Sequence, residues 1–256
     1  GLGDVYKRQR VLDPLTEKYG VDTSDDAIRA AIEKHNRLCR VITEIGDLRK
    51  AENPVITGYE YHVIVLVSQV CPHDLILPYL EETLEELRTR MPEAKFPFRA
   101  RVVLAGSEID DPAFTKLLEM CGAMVVADRY CFGSFPSREE IGIRPGETAF
   151  DAVCRHYLHT NQCARFMDGE KIDQRHAEVT KLVHDFKANG VIYENMKFCE
   201  FWSYEKVLAN HIFTEELHIP CCTIEKEYAL GAVGQLRTRF QAFIESLEIK
   251  SIQGGK

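Results

Sequence analysis

Residues 122–135 read GAMVVADRYCFGSF. The apolar run Ala123–Ala127 lacks the polar alternation of a half-exposed strand, and charge, an aromatic ring, a thiol and a glycine follow at once. A short continuous apolar run bounded by turn residues marks a strand buried on both faces. The same pattern recurs upstream in ARVVLA, from Ala100 to Ala105, and downstream in VIYE, from Val191 to Glu194, and in PCCTI, from Pro220 to Ile224. Apolar positions at helical spacing predict helices over Pro112 to Met120, Ala149 to Leu158, Gln174 to Ala188, Tyr204 to Glu216 and Val233 to Leu247. The last carries Val233, Leu236, Phe240, Phe243, Ile244 and Leu247 on one stripe. Buried strands alternating with amphipathic helices predict an α/β fold: a parallel, doubly wound sheet of the Rossmann or flavodoxin-like kind.

Upstream the pattern is helical. Ile28, Ile32, Leu38, Val41, Ile42, Ile45 and Leu48 predict one long helix from Ser24 to about Lys50, capped by Ser24 or Asp25 and stopped at Asn53-Pro54. Two more helices are expected, over Gly58 to Ser68 and Pro78 to Arg90. The acidic residues Glu81, Glu82, Glu85 and Glu86 read as a solvated face. The loop MPEAKFPF, 91–98, separates these helices from the first strand. The expected organisation is a helical remnant of an N-terminal domain with its linker over 1–95, then a C-terminal α/β domain over 96–256. The chain opens at Gly1, and GLGDVYKRQ, 1–9, has no clear period and resembles translated adapter read-through. Genuine sequence is therefore expected from near Arg10, as the C-terminal part of a longer polypeptide.

The 256 residues allow one or two domains, and 45% hydrophobic with 28% charged residues is the composition of a globular protein. Lys plus Arg number 32 against 40 Asp plus Glu, a net charge of −8 without a basic run. Nucleic-acid binding by a broad basic face is not expected. The longest apolar stretch, Val63 to Val70, is broken by Ser68 and Gln69 and falls short of the ~20 residues that span a bilayer. No membrane insertion is expected. With no secretory pattern at its start, the chain is expected to be cytoplasmic. Nine cysteines in that setting argue for thiols or metal ligands rather than a disulfide framework.

Ligands of an open parallel sheet sit beyond the carboxyl ends of its strands. Three such loops carry unusual chemistry: Gly106–Pro112, Asp128–Ser134 and Asn195–Glu200. Cys131 and Cys199 lie in equivalent places, each four or five residues past a predicted strand, so the fold should bring both to one end of the sheet. Convergent thiols suit a soft metal, while the plain alternative is a pair of small buried hydrophobes. Two thiolates do not complete a four-ligand site, and Cys163 is the internal candidate for a third. Cys221 and Cys222 should point to opposite faces of a strand, and Cys39 and Cys121 should pack within helices. His156 and His159 are expected to face solvent or loops. Asp110-Asp111 before Pro112 reads as a helix start. The helix opening around Gly234, with Arg237, Thr238 and Arg239, could hold an anion or simply be a cap with solvated arginines. No phosphate-binding GxxxxGK[ST], no GxGxxG after a strand, no HExxH and no GxSxG occurs.

Together, GSEIDDP, GAMVVADRYCFGSF, GVIYENMKFCEFW, IPCCTIEKEY and GQLRTRFQAFIESL closely resemble the 2-hydroxyacyl-CoA dehydratase and benzoyl-CoA reductase family. NRLCR followed by ENPVITGYE resembles its middle region, and the likeness covers about residues 10–250. It implies subunits of two α/β domains holding a [4Fe-4S] cluster through three cysteines. Carried over, the ligands present are Cys131 in DRYC and Cys199 in MKFC, and the remaining cysteine belongs to an N-terminal region that this chain lacks.

The resemblance further implies a paralogous second subunit, a separate ATP-hydrolysing iron–sulfur activator and an acyl-CoA substrate. The implied reaction removes water from an (R)-2-hydroxyacyl-CoA to give a 2-enoyl-CoA. That elimination has the wrong polarity for ordinary acid/base chemistry, because the thioester does not acidify the β-hydrogen and the hydroxyl leaves from the α-carbon. One injected electron gives a ketyl radical anion that expels the hydroxyl and acidifies the β-hydrogen. A cluster with three thiolates leaves one iron open to deliver the electron and bind substrate oxygen. Glu200 and Glu227 are candidates for handling protons or touching substrate. Alternatives are an aryl-CoA reductase subunit, a non-catalytic electron relay or assembly subunit, a cluster-free homologue and a zinc-binding module.

Overall fold

The computed structural model describes residues 8–92, 97–134 and 139–254. Most of the expected read-through, residues 1–7, lies outside them, as do 93–96 of the loop expected at 91–98, where the expected domain boundary falls. The chain forms two compact units, residues 1–40 with 138–161, and residues 41–137 with 162–256.

In the first unit, α1 (Asp13–Tyr19) is followed by the start of α2 (Asp25–Asp47), and α6 (Ala149–Thr160) belongs with them. Ser24 caps α2, its Oγ accepting from the Ala27 amide at 3.3 Å. Ile32, Ile141, Ala149 and Ala152 form the core. The Asn36 side chain clasps Ile141, donating to its carbonyl at 3.0 Å and accepting from its amide at 2.7 Å. Cys39 is buried as expected, and burial first, then the Glu140 charge, pushes its thiol up to about 12. His156 corrects an expectation. It is buried rather than facing solvent, because Ala149, Ala152 and His156 fall on one face at helical spacing, whereas His159 is exposed.

The second unit holds a four-stranded, all-parallel sheet in the order β2-β1-β3-β4. Its strands are β1 (Ala100–Gly106), β2 (Ala123–Arg129), β3 (Gly190–Met196) and β4 (Cys221–Lys226). One face carries Val102, Leu104, Val125, Ile192 and Ile224. They pack on Phe114, Leu117 and Leu118 of α5 (Pro112–Met120) and on Leu236, Phe240, Ile244 and Leu247 of α9 (Val233–Gly254). The other carries Val103, Ala105, Met124, Val126, Val191 and Tyr193. Against it lie Val179 and Val183 of α7 (Gly169–Asp185), Trp202 and Ala209 of α8 (Glu200–His211), and Phe186 and Phe213. Helices cover both faces, so the sheet is doubly wound as its apolar strands predict.

Elements differ from expectation mainly at their ends. Helix α4 (His73–Thr89) starts five residues early with Pro78 inside it, so the helix continues through a proline that forfeits one i→i−4 backbone bond. Helix α7 likewise starts at Gly169, where Asp168 accepts from the Lys171 amide at 3.0 Å. Helix α3 (Gly58–Val70) opens with a capping box between Thr57 and Glu60. It packs against α5 and β2, so this stretch belongs to the sheet's unit. No helix among the described residues is long and apolar enough to cross a membrane.

Candidate functional site

The chain turns from β1 outward to β2 and then crosses back to β3, so the direction of winding reverses between β1 and β3. That is the switch point at which open α/β sheets bind ligands. Three segments leave the sheet there: 107–111 after β1, 130–134 after β2 and 197–199 after β3.

The segment after β2 is clamped from below. Asp128 is buried, and its Oδ1 accepts from Nη2 of the equally buried Arg49 at 3.1 Å. Arg49 Nη1 donates to the Val125 carbonyl at 3.2 Å, and its guanidinium lies 3.8 Å over the Tyr61 ring. The second carboxylate oxygen of Asp128 accepts from the Ser134 amide at 2.6 Å, and the Ser134 hydroxyl donates to the Asp128 carbonyl. A side chain at Gly133 would put its Cβ 2.5 Å from Asp128 Oδ2, so only glycine closes this turn. Gln69 donates to the Gly133 carbonyl at 3.0 Å, and the His62 ring packs edge-on against buried Tyr130. Cys131 is carried on this clamped loop.

Cys199 caps α8 three residues past β3, as Cys131 stands two past β2. Both are closer than expected because the strands run on to Arg129 and Met196. Both thiols are half-buried against the face that holds Tyr193 and Trp202. The fold therefore brings Cys131 and Cys199 to one end and one face of the sheet. Burial first, then the charges of Cys163, Glu108, Glu194 and Cys199, pushes the Cys131 thiol up to about 12. Cys163 is thus a third thiol in this neighbourhood. Its segment is tied down by Arg129 Nε, which donates to the Gln162 side chain at 3.1 Å, and by Arg175, which donates to the Phe166 carbonyl at 2.8 Å. Arg175 also pairs with buried Glu205 of α8 at 2.6 Å.

Cys221 and Cys222 pack against opposite sheet faces, and Cys121 is buried at the end of α5. Asp111 caps α5 with Pro112 as its first residue. Arg239, near the start of α9, donates to the Thr223 carbonyl at 2.6 Å. Glu200 is exposed in the first turn of α8. Glu227 is exposed and pairs with Lys197 at 2.9 Å, which holds its carboxyl below the ordinary range.

Sequence reasoning missed Glu194, the last residue of VIYE. It is fully buried on β3, where Oε2 accepts from the Ser107 amide at 3.1 Å and hydroxyl at 2.8 Å. Its Oε1 has no hydrogen-bond partner among the described residues. Burial raises this carboxyl to about 7, against the opposing pull of Ser107 and Lys226. The sequence signal was a charge inside an otherwise apolar strand.

The thiols are the donor type an iron–sulfur cluster takes, but they do not complete its ligand set. Among the described residues, no group of three or more His, Cys, Asp and Glu side chains is arranged to hold a metal ion.

Fold and site define a parallel α/β protein with thiols gathered at the carboxyl end of its sheet. The chain belongs to the 2-hydroxyglutaryl-CoA dehydratase D-component family, which it matches over residues 7–247. It is 25% identical over 242 residues to the putative dehydratase subunit YjiM of Escherichia coli, covering 93% of this chain and 62% of that protein. It is 24% identical to the (R)-phenyllactyl-CoA dehydratase beta subunit of Clostridium sporogenes, covering 92% and 61%. To a subunit of the benzoyl-CoA reductase of Thauera aromatica it is 22% identical, covering 91% and 59%. The chain thus spans about three-fifths of the length of these curated relatives.

Proposed function

We propose that this chain is the C-terminal, cluster-binding part of a subunit of a radical 2-hydroxyacyl-CoA dehydratase. The observation that carries the reading is the convergence of Cys131 and Cys199 at the carboxyl end of the sheet in a member of this family. Cys131 and Cys199 would hold part of a [4Fe-4S] cluster, with further ligation from Cys163 or from outside the chain. When bound, such a group supplies single-electron chemistry and an iron open to a substrate oxygen. The protein's own part is placement. Arg49 and Asp128 fix the Cys131 loop, and α8 carries Cys199 at its start. The complete enzyme would pair this subunit with a paralogous one, take its electron from an ATP-hydrolysing activator and give a 2-enoyl-CoA.

The test is an anaerobic assay of the full-length subunit with its partner and activator on a 2-hydroxyacyl-CoA and an aryl-CoA. Iron and acid-labile sulfide are measured in the wild type and in Cys131→Ser and Cys199→Ser. Water loss, with less iron in both variants, is expected. Wild-type iron in both variants would remove the ligand assignment. The likeness to a benzoyl-CoA reductase favours one second reading, an aryl-CoA reductase subunit, and ring reduction without dehydration would establish it.

A further inference from the structure

The segments bearing Cys131 and Cys199 leave β2 and β3, which are not neighbours. Strand β1 lies between them. Something must therefore fix one loop against the other across β1, and the first residue past β1 touches both the Cys131 loop and the last residue of β3, from which the Cys199 loop leaves. The Cys131 amide donates to the Ser107 carbonyl at 2.8 Å, and the Met196 amide donates to the Ser107 hydroxyl at 2.7 Å. Ser107 in turn donates its hydroxyl and amide to the buried Glu194 Oε2, at 2.8 and 3.1 Å. The approach is close because Gly106 precedes it. At a φ of +139°, any Cβ there would lie 2.1 Å from the Glu194 carbonyl oxygen.

We propose that Ser107, held by Glu194, is a latch that fixes the Cys131 and Cys199 loops relative to one another and so acts as the positioning residue of the metal site. Every polar atom of Ser107 is committed to the Cys131 loop, to the end of β3 at Met196 or to Glu194, and the residue is itself buried. The Ser107 amide also continues the β1–β3 ladder by donating to the Glu194 carbonyl at 3.2 Å, so what the end of a strand would not require is the pair of bonds at the hydroxyl, to Glu194 Oε2 and from the Met196 amide. The Glu194 carboxylate supplies the fixed end: its Oε2 accepts two bonds from Ser107, and its burial leaves the side chain no other position to take. Binding a multi-iron group to thiols on separate strands demands ligand placement within about half an ångström, which such supporting bonds provide.

The inference rests on the reading of Cys131 and Cys199 as cluster ligands, so its test has an arm that needs no metal. In the metal-free full-length protein, amide hydrogen exchange is followed at Cys131 and Met196 in Ser107→Ala and Glu194→Leu. The Met196 amide is expected to exchange roughly five- to tenfold faster than in the wild type, in Ser107→Ala because its acceptor hydroxyl is gone and in Glu194→Leu because that hydroxyl is no longer held, whereas the Cys131 amide keeps the Ser107 carbonyl as acceptor and should quicken less. Amides of β4 should be unchanged. Ser107→Thr and Glu194→Gln keep a hydroxyl and an acceptor oxygen and should restore wild-type exchange. After reconstitution with iron and sulfide, the two disruptive variants should retain about half the iron or less. The iron they keep should give an altered paramagnetic signal on reduction, and the two conservative variants should match the wild type.

Unchanged exchange in both disruptive variants would overturn the latch. So would wild-type iron and signal in loosened loops, or a Ser107→Thr as damaging as Ser107→Ala. If the wild type takes up no iron while the exchange pattern is as expected, the cluster reading fails and the latch stands.

Discussion

The two thiol-bearing loops occupy matching places in the fold and are held in opposite ways. The loop after β2 is locked from inside: Arg49, Tyr61, His62 and Gln69 from earlier helices close on Asp128, Tyr130 and Gly133. The loop after β3 is held mainly by backbone. The Lys197 amide donates to the Lys226 carbonyl, the Cys199 amide to that of Met196, and the Ser203 hydroxyl to that of Cys199. Its Phe198 stands 96% exposed in a left-handed conformation at φ 70°. One ligand loop is thus built into the core, and the other is a thin edge braced through Ser107.

The contrast breaks most directly at Arg49. Arg49→Met leaves the Asp128 carboxylate buried without its charge partner, which should cost roughly 3–5 kcal/mol. A urea melt checks this, and a loss under about 1 kcal/mol would show that the clamp is not what holds the β2 loop.

Glu194 sharpens the comparison through pH. Its carboxyl sits near 7 in the folded protein and near its ordinary value of 4.5 when unfolded, so between those values the folded state binds the extra proton. Stability from this group is full below about 4.5 and is lost as pH rises through about 7, by about 3 kcal/mol in all. Glu194→Gln should remove that fall, so the difference in stability between variant and wild type should grow in the variant's favour from pH 5 to pH 8. Parallel pH profiles would contradict it.

On the exposed loop the effects should be small. Phe198→Gly relieves a left-handed conformation and gives up almost no packing, so the melting midpoint should rise, by up to about 1 kcal/mol of stability. A fall would mean that the aromatic ring packs on something. Glu227→Gln removes an exposed partner of Lys197 and should leave the midpoint unchanged in moderate salt.

Much of this was legible in the residues. AMVVA and ARVVLA are buried strands because both sheet faces are covered, which removes the polar alternation that a half-exposed strand would show. The same logic placed Cys131 and Cys199 at one end of the sheet. His156 was misread because a polar side chain was judged by type, whereas the spacing from Ala149 and Ala152 had already put it on the buried face. Arg49 lies near the end of the helix expected from Ser24 to about Lys50, and nothing in its local pattern singles it out. Its partner lies 79 residues away, a separation no local pattern encodes.

By itself, then, the sequence determined the parallel sheet, its two helical layers and the end at which the thiols gather, because these follow from periodicity and from the direction common to all parallel strands. Tertiary structure alone decided that Arg49 would lock one loop, that Ser107 would tie the Cys131 loop to the end of β3, and that Glu194 would sit buried with one oxygen lacking a hydrogen-bond partner among the described residues. Those outcomes depend on strand order and on desolvation, which arise only when segments distant in the chain are packed together.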